Sequence, residues 1–199
     1  METIGQRLLE FPRNRQEAKQ IALDLVRELK DGIGNTRTQA QWTAQNVQKL
    51  DSFFRNRGLD CFFHASSDGG EFLWDFIAYI KGRGILVAAE SEFLTSLGEI
   101  ERDFEKLLYS SAPIKLMICR IDEKNRTREA AQEEANRICR RLEGHLTGTC
   151  TYHSPGSVLV VYCVWWSDEQ GKNRDISFLL QIEGEISYQS AENKRFEAV

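Results

Sequence analysis

The sequence predicts an α/β protein, a three-layer α/β/α sandwich with a mixed sheet. Three observations carry that expectation. Helical and strand periodicities alternate along the 199 residues in the order α α β β β α β α β β. Helices follow the third and fourth strands, where they can cross over between parallel neighbours, whereas the first three strands read as an antiparallel meander. Both faces of the central hairpin are apolar, with Phe72, Trp74, Phe76 and Ala78 on one and Leu73, Ile77 and Tyr79 on the other. A sheet of that kind needs cover on both sides, and helices supply it.

Taken in order, residues 14–31 repeat Ala18, Ile21, Ala22, Leu25, Val26 and Leu29 at helical spacing, and Gly32 and Gly34 stop the run. Thr36–Thr38 opens a second helix from Gln39 to Arg57, with Val47, Leu50, Phe53 and Phe54 on its inner face and Gly58 at its end. Cys61–Ala65 is a short strand, and Ser66–Gly70 a loop by composition. The central hairpin follows. Thr95-Ser96 caps a third helix reaching Tyr109, with Leu97, Ile100, Phe104, Leu107 and Leu108 inward. Ile114–Ile121 is a strand, and Arg128–Leu142 a charged helix that Gly144 ends. Val158–Trp166 is the most apolar strand, Asp168–Arg174 a polar turn, and Ile176–Ile182 the last strand; the polar tail from Ser187 frays. The organisation expected is one domain: a helical N-terminal extension (1–38), a core (39–186) and a tail (187–199).

Composition limits the function. Hydrophobic residues make up 41% and charged residues 28%, ordinary for a globular chain. The net charge of −4 argues against a protein that holds nucleic acid through overall charge. No run reaches membrane-spanning length, and Met1–Arg15 lacks a signal-like apolar core. The five cysteines include no CxxC pair and lie mostly in apolar settings, so reduced core thiols in a cytoplasmic protein are expected.

Three carboxylates interrupt the apolar hairpin: Asp75, Glu90 and Glu92. With Gly82-Arg83 as a two-residue turn, Lys81 faces Gly84 and Asp75 falls opposite Glu90. Opposed residues share a sheet face with Cβ atoms roughly 4.5–5.5 Å apart, and Glu92 points to the same side. Like charges that close are unfavourable unless a cation neutralises them, and hard oxygen ligands suit Mg²⁺ or Mn²⁺. A three-residue loop would slip the register by one and separate Asp75 from Glu90.

An acid on one strand, a hairpin, then Glu90-Ser91-Glu92 closing the next strand before a helix and another strand, resembles the PD-(D/E)xK, or restriction-endonuclease-like, superfamily. The order of elements from about Gln39 to Ile121 is similar to its αβββαβ core. The resemblance implies Mg²⁺- or Mn²⁺-dependent hydrolysis of nucleic-acid phosphodiesters, with DNA favoured over RNA as the partner and the choice between them left open by the sequence. Asp75 and Glu90 would be the metal ligands, and Glu92, at the position of the usual Lys, would act on the attacking water or hold metal. Lys106 on the following helix could reach back as a displaced lysine. Asp51 and Glu28 are both candidates for an additional acid from an early helix. The alternative is a catalytically silent relative that binds a protein partner, or a homodimer through Val158–Trp166. A basic surround would favour the nuclease, an acidic rim the interaction module.

Other constellations read more plainly. Cys139, His145, Cys150 and His153 match no common zinc spacing. His64 reads as a core histidine and Trp165-Trp166 as packing residues. Arg126, Arg128, Arg137, Arg140 and Arg141 interleave with Glu129, Glu133, Glu134 and Glu143, the pattern of an ion-paired solvated helix face.

Overall fold

The apolar run beginning at Val158 lies at the interior of the sheet, with a strand paired on each side. The structure is a computed structural model that describes residues 15–30, 38–63, 73–93, 96–122, 127–148, 157–167, 172–182 and 185–190. Within these, seven strands make one mixed sheet in sequence order: β1 (Asp60–Phe63), β2 (Phe76–Ile80), β3 (Gly84–Glu92), β4 (Ile114–Asp122), β5 (Val158–Ser167), β6 (Lys172–Ile182) and β7 (Glu185–Ser190). Strands β3, β4 and β5 are parallel; every other neighbouring pair is antiparallel. The parallel connections run through α3 (Leu97–Tyr109) and α4 (Arg128–Gly148). Two crossovers of one hand that step the same way along a sheet place both helices on one face. That face buries Ile100, Phe104, Ala135 and Ile138 against Met117, Cys119, Val161 and Cys163.

Helices α1 (Arg15–Lys30) and α2 (Gln39–Arg55) cover the other face. Leu25, Leu29, Trp42 and Phe54 pack there on Phe76, Leu116, Val160 and Tyr162. Each such fully buried large side chain contributes about 1.5–3 kcal/mol relative to exposure. Helix α2 starts on Thr38, whose hydroxyl accepts the Gln41 N–H at 3.2 Å. It ends where Gly58, at φ +81°, lets the Leu59 N–H turn back onto the Phe54 carbonyl.

Three expectations need correction. Helix α4 does not end at Gly144 but runs to Gly148, because Leu142 and Leu146 continue its buried stripe; a tertiary contact outweighs the ~1 kcal/mol that an interior glycine costs. Residues 187–190 are not tail: they belong to β7, held by the backbone ladder with β6. Ser96 stands at the N-cap of α3, but its side chain makes no cap hydrogen bond. Val158–Val164 is buried in the middle of the sheet. The Ser66–Gly70 loop, Thr95, His64, Arg126, Cys150, His153 and the residues after Ser190 lie outside the described residues, as do the side chains of Trp165 and Trp166.

Among the described residues no helix is long and apolar enough to cross a membrane. Cys61, Cys119, Cys139 and Cys163 are free thiols, the last three buried.

Candidate functional site

Register decides whether the acids meet. The turn joining β2 to β3 is three residues, Lys81–Arg83, not two: Ile80 pairs with Gly84, and the Arg83 N–H donates to the Ile80 carbonyl. Gly82 takes φ +81° at the third turn position, where a type II turn requires a positive φ. By itself this loop would separate Asp75 from Glu90. A bulge on β3, where Leu86 is the extra residue facing the step between Ala78 and Tyr79, cancels the slip. Beyond it Ala78 pairs with Val87 and Phe76 with Ala89. The expected turn was wrong by one residue, and the bulge restores Asp75 to a place opposite Glu90.

Asp75 immediately precedes β2, which begins only at Phe76. Past Ala89 the edge of β3 therefore lacks a ladder partner in β2. The Asp75 carboxylate fills that gap, accepting the Ser91 backbone N–H at 2.8 Å. Glu90 is 3% exposed, and Glu92, two residues on, 9%. Alternation sends both toward α3 and sends Ser91 toward α2. Burial, then the neighbouring Asp75 and Asp103 charges, push the Glu90 carboxyl up to about 8, with Lys106 opposing. Burial also raises Asp75, less so because the Ser91 N–H and the Glu90 side chain hydrogen-bond to it. Burial thus favours the protonated form of Glu90, whose side chain hydrogen-bonds Asp75.

Lys106 reaches this pair from α3. Its Nζ lies 3.6 Å from Glu90 Oε1 and 2.5 Å from Asp103 Oδ1. Burial works against its ammonium, but the Asp103, Glu90 and Asp75 carboxylates outweigh that and raise its pKa. Trp74 fixes the helix from the strand side by donating its indole N–H to the Lys106 carbonyl at 3.3 Å. Glu90 Oε1 itself is buried and makes no hydrogen bond.

The structure thus brings Asp75, Glu90 and Lys106 together and leaves Glu92 on the same face. The two early-helix acids stand elsewhere: Asp51 bonds Arg55 at 2.7 Å, and Glu28 lies 3.8 Å from Lys49. Among the described residues no three His, Cys, Asp or Glu side chains gather in a group that could hold a metal ion. The surround is acidic, with Asp103 beside Lys106 and Glu101 and Glu105 along the same helix. His145 of α4 meets Glu101 at 3.1 Å and Glu105 at 3.3 Å, and Arg141 also bonds Glu101. Arg137 and Arg141 of α4 are ion-paired: Arg137 bonds Glu134 at 2.6 Å within the helix, and Arg141 bonds Glu101 of α3. Cys139 packs in the core beside Cys163, and His145 faces Glu101 and Glu105 of α3.

Three neighbours escaped the sequence. Asp103 was readable only as one of several acids on α3, although its i,i+3 spacing to Lys106 was a usable signal. Asn46 and Arg120 gave no signal. Asn46 of α2 is fully buried and donates its amide to Ser91 Oγ at 2.7 Å. Arg120 of β4, 1% exposed, lies over the ring of Phe93 at 4.1 Å and 5.9 Å from that of Trp42. No family model matches the chain, and no curated protein or solved structure matches it either.

Proposed function

We propose that the chain adopts the restriction-endonuclease-like fold and is a divalent-metal-dependent nuclease, hydrolysing phosphodiester bonds of nucleic acid, DNA in preference to RNA. One observation carries the reading: Asp75 and Glu90 are held side by side, with Glu90 Oε1 buried, without a hydrogen bond and facing Lys106. The succession α2 β1 β2 β3 α3 β4 also follows the αβββαβ order of that superfamily.

The donor set fits Mg²⁺ or Mn²⁺ in part. Two hard carboxylates and an orphaned oxygen suit such an ion, while Glu92 is not drawn into a three-ligand group with them. Asp75 and Glu90 would hold the ion, which when bound would polarise the phosphate and lower the pKa of water. Asp75 is oriented by the Ser91 N–H, and Glu90 must release its proton before it can act as a ligand. Lys106, anchored by Asp103, presents the positive charge that the superfamily takes from the position of Glu92, and it would stabilise charge developing on a phosphoryl oxygen. Glu92 would accept a proton from the attacking water.

A second reading has its own support. Among the described residues the incomplete ligand group favours a catalytically inactive nuclease-fold module that binds a protein partner. Calorimetric titration of Mg²⁺ and Mn²⁺ separates the two. Binding by the wild type that disappears in Asp75→Ala/Glu90→Ala supports the metal site, and cleavage of labelled DNA by the same wild-type protein then establishes the activity. A folded wild type that takes up neither ion at millimolar concentration, with or without DNA, overturns the nuclease reading in favour of the module.

A further inference from the structure

We infer that Asn46 is a positioning residue for the Asp75–Glu90 pair, acting through Ser91 from the opposite face of the sheet. The chain of contacts is continuous. The Asn46 side-chain amide donates to Ser91 Oγ at 2.7 Å, and the Ser91 backbone N–H donates to Asp75 Oδ2 at 2.8 Å. Ser91 is the residue between the two glutamates on β3, so its side chain points away from the site while its peptide plane belongs to it.

That peptide is held weakly by the sheet on the β2 side. The β2 ladder stops at Phe76–Ala89, so Ser91 has no backbone partner there. Its position is set instead by the parallel pairing with Ile118 and by the side-chain bond from α2. Without Asn46 the hydroxyl would lose its only hydrogen bond across to α2 among the described residues, and the strand end carrying both glutamates would be free to twist. The Asn46–Ser91 bond is worth more here than on the surface, because both groups are shut away from water. Asn46 is fully buried, and its Oδ1 makes no hydrogen bond. A polar amide kept at that expense in an apolar helix–sheet interface marks a position where orientation matters more than packing. The sequence distance of forty-five residues explains why no motif announces it.

The consequence for metal binding rests on the function proposed above; the consequence for the Ser91–Asp75 geometry does not. The test uses the full chain labelled with ¹⁵N and follows hydrogen exchange of the residue-91 amide. In the wild type this amide is protected, and Asp75→Ala exposes it. Asn46→Ala should speed its exchange about tenfold, and Ser91→Ala, which removes the same bond from the other end with little change in volume, should do likewise. Ser91→Thr keeps the hydroxyl and should restore protection. Val47→Ala, a core truncation on the same helix, should lower global stability without selectively exposing residue 91. If Asn46→Ala and Ser91→Ala leave that amide as protected as Val47→Ala does, Asn46 is a packing residue and the inference is wrong. Should Asn46→Ala fail to fold, Ser91→Ala alone decides. Mn²⁺ titrated into the same proteins reads the other link: a loss of about tenfold in affinity accompanies exposure of the amide. A wild type that binds no Mn²⁺ but shows the exchange pattern defeats the metal reading and leaves the positioning role standing.

Discussion

Replacing Glu90 with Gln should make the protein more stable in alkali and leave it nearly unchanged in acid. The folded chain keeps the Glu90 proton up to about pH 8, whereas an unperturbed glutamate releases it near 4.5. Between those values the folded state binds more protons than the unfolded chain, so this group's contribution falls as pH rises. The loss accumulates at about 1.4 kcal/mol per pH unit and levels off above pH 8, at an upper limit of about 5 kcal/mol. The limit is meaningful because Glu90 is almost wholly shielded from solvent. Glutamine has the same shape, carries no charge at any pH and can donate its amide to Asp75 as the protonated acid does. Urea denaturation in a chelating buffer, from pH 5 to pH 9, measures both proteins. At pH 5 they should agree within about 1 kcal/mol, and at pH 9 the Gln variant should lead by roughly 3–5 kcal/mol. Titration of the buried thiols cancels in the difference. A gap that does not widen with pH, or a variant less stable than the wild type at pH 9, would refute the raised Glu90 pKa and with it the electrostatic account of the site.

Three further outcomes are expected, the first two on the nuclease function proposed above. Metal uptake must displace the Glu90 proton, so Mg²⁺ or Mn²⁺ affinity should rise about tenfold per pH unit below pH 8; calorimetry in buffers of different ionisation enthalpy should count about one proton released, and a pH-independent affinity contradicts this. Lys106→Met should change stability by less than about 1 kcal/mol, since the side chain is one-third exposed, yet cut DNA cleavage by about 10²–10³; single-turnover assays on wild type and variant read the ratio, and unchanged cleavage removes Lys106 from the mechanism. Two glycine substitutions should differ in sign. Gly82→Ala meets no atom within 4 Å but must hold φ +81°, costing about 1–2 kcal/mol, whereas Gly144→Ala, inside α4 with equally open space, should stabilise by up to about 1 kcal/mol. Urea melts of the pair report both.

The long periodic elements were legible because burial repeats at the period of the backbone. Leu25 and Leu29 mark α1, Ile100, Phe104 and Leu107 mark α3, and two apolar faces on the hairpin require helices above and below. The parallel pairing of part of the sheet followed too, since helices follow the third and fourth strands. The acids Asp75, Glu90 and Glu92 stood out because charges are rare inside apolar strands. Local composition misled where a distant contact outweighed it. Gly144 reads as a stop, but Leu146 had a core to enter; residues 187–190 read as tail, but β6 had an open edge to pair.

The sequence by itself determined the α/β class, the faces of its helices and strands, and which carboxylates were exceptional. The tertiary structure decided how they meet. A one-residue error in the turn reverses a strand's faces, and the offsetting bulge at Leu86 depends on how β2 and β3 fit between two helical layers. Whether Lys106 extends to Glu90 on one face of the sheet, and whether Asn46 reaches Ser91 on the other, depends on where α3 and α2 settle against it. Hydrophobic periodicity is written residue by residue along the chain. Polar contacts between residues tens of positions apart are fixed only when packing has set the distances.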